Sequence, residues 1–532
     1  MEIKKLRPKA ILLAILLFIS CQLANAETAY TNVDGINYKL DYESMTAEVN
    51  SVYDVSGDIV LPEYISYNGK VFPLTSIGYN AFLEHRSKVT SVVIPSTVTS
   101  IEYGAFSCCY LLTSVVIPSS VTSIGDYAFG ECGSLASITI PSSVVSIGEL
   151  AFSRCSSLIS IIVEEGNRIY DSRNGCNAII ETATNKLIVG CSSSTISSSV
   201  TSIGKGAFFG CATLTSITIP SGVASIGEMA FEECENLTSV SIPSSVTSTG
   251  DGAFSFCFNL TSVNIPSSIT SIGNRTFSRC AFSSITIPSS ITSIGDEAFS
   301  YCWGLTSITI PSSVTSIGEK ILECCLFIES IEVEKDNKVY DSRNGCNSII
   351  ETAANRLIAG CRASTIPSDV TSIGKYAFSG CDLLTSIVIP SNVTSIEECA
   401  FYSCYGLTSI TIPSNVKSIG YRAFSGCYNL ANVYCYGEEM KDVHEEAFAV
   451  ISDDATLHVN ASLVDAYKSA EYWPEWFCNI IALEDETDID GININTKDTY
   501  RIYTIDGKVL PSMQKGINIL RSKTGKSVKV VK

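Results

Sequence analysis

The chain has 532 residues, of which 45% are hydrophobic and 17% are charged, and its formal net charge at pH 7 is −19. Disordered chains are poor in apolar residues and rich in charge, so this composition excludes a disordered protein and predicts a substantial buried core. So much negative charge repels nucleic-acid phosphates and anionic membrane surfaces, and the sequence therefore predicts no nucleic-acid partner.

Residues 1–26 have the pattern of a secretory signal peptide. A basic stretch, an apolar run from Ala10 to Ile19 and the small-residue sequence Ala24-Asn25-Ala26 follow one another. Cleavage there would leave Glu27 as the first residue, and lipidation at Cys21 is the alternative. The apolar run is too short to cross a bilayer and no later segment is long enough, so we predict no transmembrane span. The expected location is secreted or on the outer cell surface.

Residues 27–70 alternate apolar and polar side chains around Gly35 and Gly57. Alternation with a period of two is typical of half-buried strands. Because the end of a stacked repeat needs a cover, we interpret this segment as an N-terminal β cap.

Residues 71–436 repeat with a period of 23. Pro95, Pro118 and Pro141 lie 23 residues apart, and the second opens the phrase Pro-Ser-Ser-Val-Thr-Ser-Ile-Gly-Asp-Tyr-Ala-Phe. The same copy ends in Leu135-x-x-Ile138-x-Ile140, which is the L-x-x-L-x-L pattern of a leucine-rich repeat.

A single coil of this kind cannot fold by itself. Ordering 23 residues costs about 30 kcal/mol of conformational entropy, at about 1.5 kcal/mol each. Burying about seven apolar side chains contributes only roughly 10–20 kcal/mol of stabilisation. Coils must therefore stack and pair their strands. The sequence predicts a leucine-rich-repeat solenoid of 23-residue coils, built mostly of β strand and turn.

Two coils are longer and resemble each other, at 164–196 and 334–366. Both contain Asp-Ser-Arg-Asn-Gly-Cys-Asn, beginning at Asp171 and Asp341. Asn-Gly between β-prone runs predicts a two-residue type I′ turn. We therefore expect each long coil to carry a protruding hairpin.

The repeat is lost over 437–483, which contains Tyr467, Trp473, Trp476 and Phe477. We interpret this segment as an aromatic C-terminal cap. Residues 484–490 form an acidic linker, and 491–532 are expected to form a small separate β module.

The phrase I-P-S-x-V-T-S-I-G-x-x-A-F-x-x-C resembles the BspA-like branch of the leucine-rich repeats, over about residues 27–483. Members of that branch are cell-surface or secreted proteins of mucosal bacteria and some protists, and several bind host matrix proteins. The resemblance implies adhesion to a host extracellular-matrix protein or glycan. The last segment, with Ile502-Tyr-Thr-Ile-Asp-Gly-Lys-Val509, resembles the C-terminal sorting domains of type IX secretion substrates, which implies a partner in that machinery. It departs from the pattern by being short and by having Asn518 where tyrosine is common.

Cysteine occurs at one fixed place in each coil, fourteen residues after the proline position. A small apolar side chain suits an inward column, and a disulfide framework is the alternative for an exported protein. We predict a structural role for Cys109, Cys132, Cys155, Cys211, Cys234, Cys257, Cys280, Cys302, Cys325, Cys381, Cys404 and Cys427.

Nothing in the sequence forms a catalytic pattern. The histidines are His85, His444 and His458, and none has a partner at metal-ligand spacing or lies near a nucleophile elbow. The carboxylates are scattered over the variable positions of the coils, which is typical of a solvated face. We predict no catalytic, cofactor or metal site and no enzymatic activity.

The outward strand positions carry small hydroxyls, as at Ser137 and Thr139, whereas binding hot spots require aromatic or arginine side chains. We therefore place candidate binding residues in the two hairpins and beside the cysteine column: Arg173, Asn174, Arg343, Asn344, Tyr110, Phe256, Trp303 and Tyr405. Two functions remain open on the sequence alone. One is adhesion, and the other is a structural spacer or surface coat without a specific ligand.

Overall fold

The structure is a computed structural model that describes residues 28–53, 55–83, 88–437 and 442–483, with the backbone of four strands between 500 and 531. The predicted signal peptide, Cys21, His85 and the acidic linker lie outside the described residues. Among the described residues there is no helix with the length and apolar character that crossing a membrane requires.

Each regular coil is one turn of a β solenoid, with a long strand on one side and a two-residue strand on another. Ser137–Ile140 pairs in parallel with Ser160–Val163 of the next coil, and Ser123–Ile124 pairs in parallel with Ser146–Ile147. Isoleucines at alternate positions point inward and are buried, as at Ile138. The predicted repeat solenoid is confirmed.

The long-strand side contains Ser56–Val60, Lys88–Val93, Ser114–Val116, Ser137–Ile140, Ser160–Val163, Ser216–Thr218, Ser239–Ser241, Ser262–Asn264, Ser307–Ile310, Ser330–Val333, Ser409–Ile412, Asn432–Cys435, Thr456–Val459 and Asn479–Ala482. The short-strand side contains Lys70–Ile77, Ser100–Ile101, Ser123–Ile124, Ser146–Ile147, Ser202–Ile203, Ser225–Ile226, Ser248–Thr249, Ser271–Ile272, Ser293–Ile294, Ser316–Ile317, Ser372–Ile373, Ser395–Ile396, Ser418–Ile419 and Asp442–Val443. The remaining strands are Thr28–Val33, Ile36–Asp41, Thr46–Val52, Tyr64–Tyr67, Tyr170–Asp171, Ile179–Glu181, Lys186–Val189, Tyr340–Asp341, Ile349–Glu351, Arg356–Ala359, Tyr500–Thr504, Val509–Leu510, Ile517–Ser522 and Ser527–Val531.

The third side of each coil is the Ala-Phe-x-x-Cys segment, which has no strand but continues the backbone ladder. The N–H of Phe129 donates to the carbonyl of Ala151 in the next coil at 2.8 Å. The phenylalanine rings stack in a column, and those of Phe231 and Phe254 lie 5.3 Å apart with planes 3° from parallel. Adjacent coils are therefore joined by hydrogen bonds or ring stacking on all three sides.

The two ends of the stack differ from its middle. At the N-terminal end, Thr28–Val33, Ile36–Asp41 and Thr46–Val52 pair antiparallel, and the last of these pairs in parallel with Lys70–Ile77. At the other end the chain forms a 3₁₀ turn at Ala461–Leu463 and short helices at Val464–Ser469 and Trp473–Trp476. Trp473 and Phe477 pack against Phe448, the last ring of the column, at 5.7 and 5.3 Å.

The long coils carry antiparallel strands, but the closing turn is not at Asn-Gly. Tyr170–Asp171 pairs with Ile179–Glu181, which pairs with Lys186–Val189. Asn174 and Gly175 have φ of 59° and 62°, as a type I′ turn requires, yet Cys176 just after them is buried. Because the chain returns to the core there, Asn-Gly lies in the wider loop 172–178. The predicted two-residue turn is therefore wrong, and the tight hairpin is closed by residues 182–185 of the same coil.

The long coils do not interrupt the third side of the stack. In regular coils the N–H of Glu131 donates to the carbonyl of Ser153 in the next coil at 2.8 Å. The equivalent N–H of Arg154 donates to the carbonyl of Phe209, also at 2.8 Å, across the whole inserted coil. The surface residues on this side therefore form one continuous row past the insertion.

Candidate binding surface

The residues that differ most from coil to coil lie on the third side. In the coil that opens at Pro118 they are Asp126, Tyr127, Gly130, Glu131 and Gly133. These positions and their equivalents in the other coils are called the variable ridge below. Because the coils stack in register, a substitution at one ridge position changes one place on a continuous surface.

The long-strand side is less uniform than the sequence predicts. Its outward positions are small hydroxyls in many coils, but Ile162 and Val388 are exposed there, and so are Val60, Val93 and Val116. The last three are register partners on three adjacent strands, so they form one apolar stripe near the N-terminal end. The predicted hydroxyl face therefore does not extend to this end of the solenoid, since the second outward position of these strands is valine.

The predicted aromatic candidates lie on the ridge but in separate places. Tyr110, Trp303 and Tyr405 are exposed by 57%, 45% and 40%, and Phe256 is half-buried. The hydroxyl of Tyr110 donates to Glu131 at 3.0 Å, and Tyr405 stacks on Tyr428 at 5.3 Å. Only Phe256 and Trp303 belong to one cluster.

The hairpin candidates Arg173 and Arg343 are engaged within the protein. The guanidinium of Arg343 holds both carboxylate oxygens of Asp341, at 2.7 and 2.6 Å, and also contacts Asn355 and Asp369. Arg173 makes the equivalent bonds to Asp171, with a further bond to Asn185. These arginines therefore brace the loop of each long coil.

Asn174 and Asn344 are exposed in the same loops. The loop of the second long coil borders an open groove of about 520 Å³, lined in part by Glu332, Asp341 and Arg343. Of the four hairpin candidates, the two asparagines remain the ones whose side chains face solvent.

Removing the brace is expected to destabilise the long coil. Arg343→Gln should lower the free energy of unfolding by about 1–3 kcal/mol, because a half-buried carboxylate loses its charged partner. Burial alone would raise the pKa of Asp341, and Arg343 holds that pKa below its ordinary value. Urea unfolding followed by circular dichroism measures the effect.

Arg362→Gln is the matched control, since Arg362 lies on the same long coil and pairs with the exposed Glu329 of the preceding coil. A surface pair of this kind contributes about 0–1 kcal/mol. If Arg343→Gln lowered the free energy of unfolding by as little as Arg362→Gln, Arg343 would not brace the loop.

The column cysteines are thiols inside the stack, each donating to a carbonyl of the preceding turn. Cys132 donates to Phe106 at 3.2 Å and Cys155 to Phe129 at 3.1 Å. Burial raises the pKa of the Cys155 thiol to about 12. Because the thiolate is the reactive and metal-binding form, such thiols are chemically inert at neutral pH. Among the described residues, no group of three His, Cys, Asp or Glu side chains is placed to hold a metal ion.

Several ridge carboxylates form part of the coil ladder. The carboxylates of Asp126, Asp251 and Asp296 each accept the N–H of the equivalent residue in the next coil, at 2.7 to 2.8 Å. These three carboxylates therefore hydrogen-bond to the backbone of the next coil, in addition to forming part of the solvated face that the sequence predicts. Burial, reinforced by Glu233, raises the pKa of Glu232 beside them to about 7.

One cluster on the ridge joins four aromatic rings to one arginine: Phe256, Phe258, Tyr301, Trp303 and Arg279. The guanidinium carbon of Arg279 lies 4.7 Å from the ring centre of Phe256 and 4.1 Å from that of Tyr301. Phe258 and Trp303 stack at 6.5 Å with planes 7° apart, and Phe256 meets Phe258 edge to face at 5.9 Å. Phe256 and Trp303 were predicted from their place beside the cysteine column. The 22-residue spacing between Pro266 and Pro288 marked the place, but the stacking of three coils was needed to join them.

Comparison with protein families agrees with this architecture. The family described as the BspA type leucine rich repeat region matches residues 75–185, 180–302, 270–351 and 348–470. Together these matches cover most of the chain. No curated protein matches it significantly.

Solved structures that are similar to this chain come from several bacteria. A leucine-rich cell surface protein of Faecalibacterium prausnitzii is 23% identical, with a TM-score of 0.40, over 86% of this chain and 95% of that one. A leucine-rich repeat protein of Bacteroides ovatus is 25% identical, with a TM-score of 0.37, over 81% and 99%. The pneumococcal vaccine antigen PcpA is 15% identical, with a TM-score of 0.33, over 86% and 98%.

Proposed function

Because this chain belongs to the BspA-type leucine-rich-repeat family, we propose that it is a secreted or cell-surface protein that adheres to a host extracellular-matrix protein or glycan. The signal-peptide pattern of residues 1–26 supports export. The proposed role is binding without catalysis, and the inert thiol column supports a structural role for the repeated cysteines.

The observation that carries the proposal is the set of exposed aromatic side chains on the variable ridge. Aromatic residues dominate binding hot spots because they bury a large area at little conformational cost. Several coils expose aromatic side chains at ridge positions: Tyr103, Tyr110, Tyr127, Phe258, Trp303, Tyr405 and Tyr428. Where these rings adjoin, as Tyr103 and Tyr127 do and as Tyr405 and Tyr428 do, they form exposed apolar patches of the kind that mark interaction sites.

The C-terminal module has a separate proposed role as a type IX secretion sorting signal. Its backbone forms one antiparallel sheet in which Tyr500–Thr504 pairs with Val509–Leu510 and Ile517–Ser522, and the latter pairs with Ser527–Val531. A compact terminal sheet of this kind supports recognition as a unit. Fusing residues 491–532 to a periplasmic reporter should direct export in a strain that has this machinery, and retention of the reporter would contradict the assignment.

Binding of the full mature chain to immobilised host matrix proteins and glycans tests the adhesion proposal. Combining Tyr110→Ser, Trp303→Ser and Tyr405→Ser should weaken the retained interaction by about ten-fold or more, since hot-spot truncations cost about 2 kcal/mol or more. The matched control combines Thr139→Ala, Thr218→Ala and Thr309→Ala on the outward long-strand positions, and should bind as the wild type does.

The competing function is a spacer or surface coat, and the same experiment separates the two. If the wild-type chain retains no host component, adhesion is wrong. A spacer would respond instead to length, so deletion of the whole coil 220–242 would alter surface display while the serine substitutions would not.

A further inference from the structure

A one-residue deletion shapes the aromatic cluster on the ridge. The coil opening at Pro266 has 22 residues, and the missing one falls between Cys280 and Phe282. Phe282 occupies the core position that is leucine in neighbouring coils, and it is fully buried. Ala281 alone then stands where the flanking coils have Phe258 and Trp303. Because a methyl group fills little space, these two rings stack with each other across the short coil.

The same short coil supplies the cation of the cluster. One ring from each neighbouring coil, Phe256 and Tyr301, lies against the guanidinium of Arg279. Among the described residues, no carboxylate lies within ion-pairing distance of Arg279 or of Arg168, whereas Arg154, Arg173, Arg275, Arg343, Arg356, Arg362 and Arg422 are all paired. Within the part of the chain that the structure describes, Arg279 also forms no side-chain hydrogen bond. An arginine held in place by stacking and left without an anion is unusual in a chain of net charge −19.

From this arrangement, and resting on the proposed binding function, we propose that the cluster around Arg279 binds a sugar that carries a carboxylate group. A guanidinium presents paired N–H donors that match the two oxygens of a carboxylate. Phe258 and Trp303 offer exposed, parallel rings on which the C–H face of a pyranose packs. The guanidinium site and the ring pair are connected, because Phe256, which lies against Arg279, also meets Phe258 edge to face.

Charge and geometry favour a single acidic sugar over a peptide. One unpaired arginine in an acidic body attracts one carboxylate, while a polyanion would meet the negative charge of the remaining surface. An added peptide strand needs an unpaired sheet edge. The cluster lies on the third side of the coils, where residues 273–283 and 295–306 contain no strand to which a peptide could be added.

Calorimetric titration of the full mature chain tests the carboxylate contact. The probes are a glucuronate-terminated and a sialate-terminated trisaccharide, each as the free acid and as its methyl ester. At least one acid should bind more tightly than its ester, and Arg279→Gln should weaken that acid by about 10–100-fold while leaving the ester unchanged. Which acid binds identifies the source of the carboxylate.

Arg275→Gln is the charge control, because Arg275 lies on the same coil and pairs with Glu297. It should change the affinity less than about three-fold. Trp303→Ala should weaken acid and ester together, whereas Tyr405→Ala removes a ring from an exposed aromatic pair that has no cation and should change neither. Thermal unfolding of each variant shows that the solenoid is intact.

The outcomes distinguish this inference from the proposed function. If neither acid binds, or if Arg279→Gln weakens acid and ester equally, the acidic-sugar site is wrong. If the chain still retains a host matrix protein through Tyr110 or Tyr405, adhesion stands without it. If a glutamate-rich peptide binds and Arg279→Gln abolishes that binding while both sugars fail, the ligand is an acidic peptide and the inference is overturned.

Discussion

Replacing Phe254 with alanine is expected to lower the free energy of unfolding of the solenoid by about 3–5 kcal/mol. Phe254 is fully buried and stacks between Phe231 at 5.3 Å and Phe277 at 5.8 Å. Truncation leaves a cavity that the neighbouring rings cannot fill, because their own coils are fixed by backbone hydrogen bonds on three sides. Urea unfolding followed by far-ultraviolet circular dichroism measures the loss.

Phe258→Ala is the control for that substitution, since it removes the same side chain four residues later from an exposed ridge position. It should cost less than about 1 kcal/mol, as surface substitutions away from the core do. If Phe254→Ala lowered the free energy of unfolding as little as Phe258→Ala, the phenylalanine column would not stabilise the stack.

Replacing Trp473 with alanine is expected to uncover the C-terminal end of the column. Trp473 is buried against Phe448 and meets Tyr467 edge to face at 4.9 Å. The substitution should cost about 3–5 kcal/mol locally and expose both the last ring and the end of the sheet. Because an open sheet end pairs with other chains, the variant should also associate as its concentration rises.

Sedimentation velocity at several concentrations measures this association, and hydrogen exchange measures fraying of residues 456–482. Trp476→Ala is the matched control, because Trp476 is half-buried at the edge of the same cluster, 5.6 Å from Phe448. It should fray less and remain monomeric. A monomeric Trp473→Ala chain with unchanged exchange would contradict a capping role for this segment.

The solenoid could be predicted from the sequence because each coil repeats the same inward residues. Ile138, Phe129 and Cys132 recur at fixed spacing, and a spacing that repeats at 23 residues is the signature of stacked turns. The position of the tight hairpin could not be predicted in the same way. Asn-Gly has the expected backbone conformation, but burial of Cys176 draws the chain back inward and moves the hairpin to residues 182–185.

The binding surface was only partly predictable because it depends on contacts between coils. Tyr110 and Trp303 could be named from their place beside the cysteine column, but nothing local shows that Arg343 also pairs with Asp369 of the next coil. Likewise, Arg279 meets its two rings only when the short coil stacks between two regular ones. Side chains that meet across coils lie 20 or more residues apart, and their contacts follow from the register rather than from any motif.

The central claim is that specific contacts are made by the variable ridge and not by the long-strand side. Hydroxyl-radical footprinting of the mature chain, with and without solubilised host extracellular matrix, tests it directly. Tyr110, Trp303 and Tyr405 should become protected from oxidation, while the equally exposed stripe of Val60, Val93 and Val116 should react as before. Protection of the valine stripe with no change at the three aromatic residues would contradict the claim.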